Sequence, residues 1–177
     1  MPVYMPESDV EEATIDWLQE IGWTYMPGPT ISPDGGAPER ASYGDVVLVK
    51  RLRAGLAAIN PHLPEEAIDT AVSAVLQAES QNLLQENRRL HRLMVRGVEV
   101  SFHSAAAGRV VHDVCRLVDF EQLERNDFLA VNQLTVIQKK KEGRPDVVLF
   151  VNGLPVAVIE LKKPGADNEH LAGALTR

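Results

Sequence analysis

The sequence has one cysteine, Cys115, so no internal disulfide can form, and a single Cys among scattered histidines lacks any zinc-finger spacing. No uninterrupted apolar run approaches the roughly 20 residues of a membrane-spanning helix, so no membrane partner is expected. The opening Met1-Pro2-Val3-Tyr4-Met5-Pro6-Glu7 has no basic stretch followed by an apolar core. No secretory leader is therefore expected, and a cytoplasmic, reducing setting is the default. What is present is an ordinary globular composition: 177 residues, 45% hydrophobic and 24% charged, with 12 Gly and 11 Pro. That excludes disorder, collagen and low complexity. The length predicts one domain able to bury roughly 70% of its unfolded surface without a covalent staple.

The net charge of -7 does not by itself point to nucleic acid, but its distribution is uneven. Residues 1–80 carry a net -9, residues 81–145 a net +3 and residues 146–177 a net -1. The middle of the chain is therefore able to offer phosphates a positive surface.

Ser8-Asp9-Val10-Glu11 has the form of a capping box. Val10, Ala13, Thr14, Trp17, Leu18 and Ile21 then follow one helix face, predicting a helix over 9–21 ended by Gly22. Pro27 to Pro38 reads as a loop. Helices are expected over about 44–59, stopped by Asn60-Pro61, and from Pro64 to about Gln77, with Glu65 and Glu66 at the positive end of the dipole. A fourth helix carries Leu83, Leu84, Leu90 and Met94 on one face and ends at Gly97. Arg88, Arg89, Arg92 and Arg96 fall on its opposite face, which fits either a nucleic-acid backbone or plain solvent. From Val98 the pattern turns to strands: a hairpin of Val98–His103 and Arg109–Phe120, a strand Phe128–Ile137, a charged turn Lys139–Gly143, then the apolar runs Val147–Val151 and Val156–Leu161. Glu169–Leu175 starts a further helical pattern. Helices, then strands, then a helix predict an α/β (α+β) domain with a mixed central sheet flanked by helices. In it, residues 44–97 form a helical insertion.

Chemistry concentrates in Arg144-Pro145-Asp146, the two apolar runs, and Glu160-Leu161-Lys162-Lys163-Pro164. The runs read as central strands covered on both faces. A hairpin brings Asp146 back beside Glu160 and Lys162. Two carboxylates supply hard oxygen ligands for Mg²⁺, and a neighbouring ammonium orients a water and offsets phosphate charge. The same spacing also fits a strand-capping Asp and a strand-end ion pair.

Pro145-Asp146 followed by Glu160-Leu161-Lys162 matches the PD-(D/E)xK nuclease signature. The wider string RPDVVLFVNGLPVAVIELKKP resembles the N-terminal nuclease region of type I restriction enzyme R subunits (HsdR). ESDVEEATIDWLQEIGW, ERASYGDVVL and NDFLAVNQLTVI are similar to segments of one branch of that family, so the likeness covers essentially the whole chain. The resemblance implies a restriction-endonuclease-like fold and Mg²⁺-dependent cleavage of duplex DNA, a type I site-specific deoxyribonuclease. It also implies partnership with specificity and methylation subunits. Carried over residue by residue, it makes Asp146, Glu160 and Lys162 catalytic, with Asp146 and Glu160 as metal ligands. It also points to a first-helix acid near the metal, for which Glu7 and Glu11 are candidates, Glu11 being the natural partner in the capping box. The family's ATP-driven translocase would follow the nuclease. This sequence has no Walker A motif and no Gln-x-x-x-Tyr after the Glu-x-Lys strand. The chain is therefore expected to lack the C-terminal part of the nuclease domain and the translocase, with ATP acting only in the full-length subunit. The alternative expectation is a catalytically incompetent remnant that only docks DNA or partners.

Other residues carry less chemistry. His62, His91, His103, His112 and His170 form no ligand pair, and Cys115 reads as a buried small hydrophobe. One geometric condition attaches to the signature. Asn152-Gly153 is a strong two-residue turn signal, yet a regular two-residue hairpin would put Asp146 and Glu160 on opposite faces. A shared site predicts an odd-length loop or a bulge between them.

Overall fold

A computed structural model describes residues 6–104 and 107–162. They fall into two compact units, one holding residues 6–46, 128–150 and 154–162, the other residues 47–127 and 151–153. The expected helix at 169–175 lies outside the described residues.

In the first unit the chain opens with α1 (Glu7–Glu20). The helix starts earlier than the capping-box reading placed it: Pro6 is the N-cap, no side chain caps the end, and the Ser8 hydroxyl donates to Asp9. The buried seam also differs from the expected face. Ile15 packs with Ala130 and Val147 against Leu18, Tyr25, Leu149 and Ile159, whereas Trp17 (66% exposed) and Ile21 (74%) face outward. Gly22 terminates the helix as expected, at φ +97°, with Trp23 N–H donating to the Leu18 carbonyl. A strand β1 (Thr24–Pro27), which the sequence did not signal, leads into a one-turn helix α2 (Gly28–Ile31) at the start of the region read as a loop.

The expected strand 128–137 is two. β4 (Phe128–Asn132) stops where Gln133 takes φ +50° and donates its N–H to the Asp146 carbonyl. β5 (Val136–Gln138) then pairs with β6 (Lys141–Gly143) across a tight turn in which Lys139 and Lys140 both have positive φ. β7 (Val147–Val151) and β8 (Leu154–Ile159) complete a four-stranded mixed sheet in the order β1-β4-β7-β8. β1 runs parallel to β4, with Thr24 opposite Leu129. β7 is internal, but β8 is not the covered central strand expected. Among the described residues it is an edge strand, and Val158 is 61% exposed.

In the second unit, α3 (Val49–Ile59), α4 (Glu65–Leu76) and α5 (Leu83–Arg96) match the three expected helices, except that α3 starts late. Residues 41–45 are held instead as a turn, since Asp45 Oδ2 accepts the N–H groups of Ala41 and Ser42. β2 (Val98–Ser104) and β3 (Arg109–Cys115) form the expected antiparallel hairpin, Val98 facing Cys115. β3 ends at Cys115 rather than Phe120 because the Asn60 side chain takes the place of a strand partner. Its Oδ1 accepts the Arg116 N–H and its Nδ2 donates to the Arg116 carbonyl, each at 2.9 Å. Cys115 is buried, as expected, and burial together with Asp113 pushes its thiol up to about 11.

Asn152 is fully buried and all its polar atoms are used. Nδ2 donates to the Leu117 carbonyl and to Asn126 Oδ1, both at 2.9 Å, and Oδ1 accepts the Asp127 N–H at 2.8 Å. Gly153 sits at φ +77°, where an added Cβ would lie 2.5 Å from the Leu48 carbonyl oxygen.

Asn152→Ala should therefore cost about 1–3 kcal/mol for each buried group left unpaired. Gly153→Ala should cost at least about 1 kcal/mol for the left-handed backbone alone, with the close contact adding to it. Urea unfolding checks both; wild-type midpoints for the two variants would contradict this account of the turn. Because the thiolate is the reactive form, Cys115 should resist a disulfide reagent at pH 8 and react once urea unfolds the chain. Equal labelling rates with and without urea would count against its burial.

Candidate active site

Asp146 immediately precedes β7 and Glu160 immediately follows β8. The loop joining these strands is not odd-length as expected. Asn152 (φ +50°) and Gly153 (φ +77°) form a two-residue turn of the primed type, which the Asn-Gly pair favours. The two carboxylates nevertheless open on one cavity of about 630 Å³, together with Glu7, Arg144, Val158 and Lys162. The odd-length alternative of the expectation is therefore not the one this hairpin takes. Side-chain alternation governs residues inside a ladder, and both carboxylates stand one position beyond the strand ends, where the chain is no longer pleated.

Asp146 is held on two sides. Its Oδ2 accepts the Leu161 N–H at 2.7 Å, tying the start of one strand to the residue between Glu160 and Lys162. Its carbonyl accepts the Gln133 N–H at 2.9 Å. Asp146, Glu160 and Lys162 are all half-buried, so the cavity reaches solvent while part of each side chain is shielded.

The two first-helix candidates separate. Glu7 lines the cavity. Glu11 is not a capping partner: its two oxygens accept hydrogen bonds from Asn132 Nδ2 and Gln133 Nε2, each at 2.7 Å. Asn132 Oδ1 in turn accepts the Tyr25 hydroxyl at 3.0 Å, and burial, then the Glu11 charge, raise the Tyr25 pKa. A second, more acidic cleft beside α1 includes Glu11, Glu12 and Asp16. Glu11 thus clamps α1 to the end of β4, and Gln133 passes that constraint to the backbone of Asp146. The sequence signalled neither Asn132 nor Gln133. Both are uncharged amides at a strand end, and only the long-range fold brings them to α1.

Among the described residues no group of three or more His, Cys, Asp or Glu side chains is placed to hold a metal ion. The carboxylates at this cavity are instead those of Asp146 and Glu160, both half-buried, and of Glu7 and Glu142, both exposed. Hard oxygens at an open, water-accessible site suit Mg²⁺, which keeps several waters. The Leu161 N–H engages only one oxygen of Asp146 and leaves carboxylate lone pairs for a cation. The residues present fit the ion.

Comparison with known proteins places this chain in a family. The family described as "Type I restriction enzyme R protein N terminus" matches residues 4–175. The type I restriction enzyme HindI endonuclease subunit of Haemophilus influenzae is 36% identical over 172 residues, which is 97% of this chain and 16% of that protein. The putative type I restriction enzyme MjaIXP endonuclease subunit of Methanocaldococcus jannaschii is 32% identical over 161 residues, 89% of this chain and 15% of that protein. The chain spans about a sixth of the length of these relatives. With nearly every residue matched, the chain belongs to the family of type I restriction enzyme R protein N-terminal regions.

Proposed function

We propose that this chain is the nuclease region of a type I restriction enzyme R subunit and hydrolyses phosphodiester bonds of duplex DNA. The observation that carries the reading is the convergence of Asp146, Glu160 and Lys162 on one open cavity, despite a hairpin turn of even length. The word "endonuclease" in the names of both relatives supports it.

In this reading Asp146 and Glu160 hold Mg²⁺, with Glu7 at the rim. When bound, the ion stabilises charge developing on the phosphoryl oxygens and lowers the pKa of a bound water. The chain's own groups do the rest. The Leu161 N–H orients the Asp146 carboxylate, and Gln133 fixes its backbone. The Lys162 ammonium positions the attacking water and offsets the phosphate charge. A P–O bond forms to the water oxygen, and the P–O bond to the departing sugar oxygen breaks. Sequence choice belongs to a specificity subunit. A methylation subunit and an ATP-driven translocase complete the assembly.

Lys162→Ala, placed in an assembled restriction complex, should lower DNA cleavage by at least about 10²-fold. DNA binding and ATP hydrolysis should persist. Cleavage close to the wild-type rate would remove Lys162 from the mechanism. Asp146→Ala and Glu160→Ala should each lose as much, and the double variant little more, because groups acting as a unit fail together.

Calorimetric titration of the chain with Mg²⁺ or Mn²⁺ should show weak binding that disappears in the Asp146→Asn, Glu160→Gln double variant. Equal binding by the wild type and that variant would place the ion elsewhere.

A further inference from the structure

The arginines of α5 divide into two kinds. Arg89, expected on the open face with the others, turns inward and is 11% exposed. Its Nε donates to Glu86 at 2.6 Å and its Nη1 to the Ala74 carbonyl at 2.8 Å, while Glu86 Oε2 accepts the N–H groups of Glu79 and Ser80. This clasp docks α5 on the end of α4 and occupies the only acid that α5 contains. Arg88, Arg92 and Arg96 remain exposed at four-residue steps, and among the described residues none has a carboxylate within salt-bridge distance. At about 100° per residue, Leu84, expected on the opposite face, falls on their side and is exposed, as are Gln85, His91 and Val95, and no acid shares that side.

Stability does not account for this row. Like charges at i, i+4 weaken a helix, and no residue of α5 is fully buried to compensate. A chain with net charge -7 that keeps three arginines without an acidic partner in line, with the single acid of α5 turned away, is built to meet an external anion. Successive arginines rise about 6 Å along the helix, so the row spans about 12 Å. One DNA strand presents three to four nucleotides over that length, at about 3.4 Å of axis each. The planar guanidinium fork matches phosphate oxygens.

We propose that the exposed face of α5, through Arg88, Arg92 and Arg96, is a track for the phosphodiester backbone of duplex DNA. It sets the position of the duplex and not the sequence read, since phosphate contacts carry no base information. The track shares with the proposed function only the substrate class. It does not depend on the roles of Asp146, Glu160 and Lys162.

The test is fluorescence anisotropy of a labelled random-sequence duplex with the full chain, in EDTA, between 50 and 200 mM salt. Arg88→Gln, Arg92→Gln and Arg96→Gln together should weaken binding, and the slope of log affinity against log salt should become shallower by about 2.7. Each single variant should change the slope by about 0.9, which keeps the test open if the triple variant folds poorly. A triple variant with wild-type affinity and slope overturns the track. So does a wild-type chain that fails to bind duplex, or a triple variant whose sole defect is in capturing a protein subunit of the complex. Loss of cleavage assignments with the slope change intact would instead sink the proposed function and leave the track standing.

Discussion

The side-chain amide of Asn152 is the interaction on which most of the rest depends. It sits in the turn between β7 and β8, and its hydrogen bonds to Leu117, Asn126 and Asp127 satisfy backbone and side-chain groups of a stretch without regular secondary structure. Asn126 repeats the device, accepting the Asp119 N–H and donating to the Asp119 carbonyl, and Asn60 does so at Arg116. Three buried asparagines thus do for this segment what a neighbouring strand would do elsewhere. The turn that Asn152 occupies joins β7 to β8, and those strands lead at their far ends to Asp146 and Glu160.

At those ends, order is imposed by backbone as much as by charge. A carboxylate held only by its own rotamers would spread over several positions and lose the benefit of a fixed approach. Here the Leu161 N–H fixes the Asp146 head group and Gln133 fixes its main chain, while Glu11 fixes Gln133. The chain of constraint starts on the first helix and ends at the cavity. A lone aspartate in a loop has no such support.

Much of this was legible in the sequence, and the misses have physical reasons. Gly22, Asn60-Pro61, Pro64 and Gly97 mark helix boundaries locally, so α3 to α5 were readable within a few residues. Asn152-Gly153 announced its turn, and the Asp146, Glu160 and Lys162 pattern named the residues that line one cavity. β1 escaped because four residues ending in proline carry too little periodicity. The buried seam of α1 was misplaced because Trp17 and Ile21 are apolar yet exposed, and apolarity alone does not tell which stripe meets the sheet. The partners of Glu11 and Arg89 lie at long range or on backbone carbonyls, which no side-chain pattern encodes.

The parallel pairing of β1 with β4 also orders events in time. Thr24 meets Leu129 only after about a hundred intervening residues have been synthesised, and joining such distant segments costs loop entropy before any strand contact repays it. The helices and the β2–β3 hairpin, built from near neighbours, can assemble while the chain is still emerging. The sheet that frames Asp146 therefore closes late. The cavity lined by Asp146, Glu160 and Lys162 is finished only once synthesis has passed Lys162, well after the arginine-bearing helix has formed.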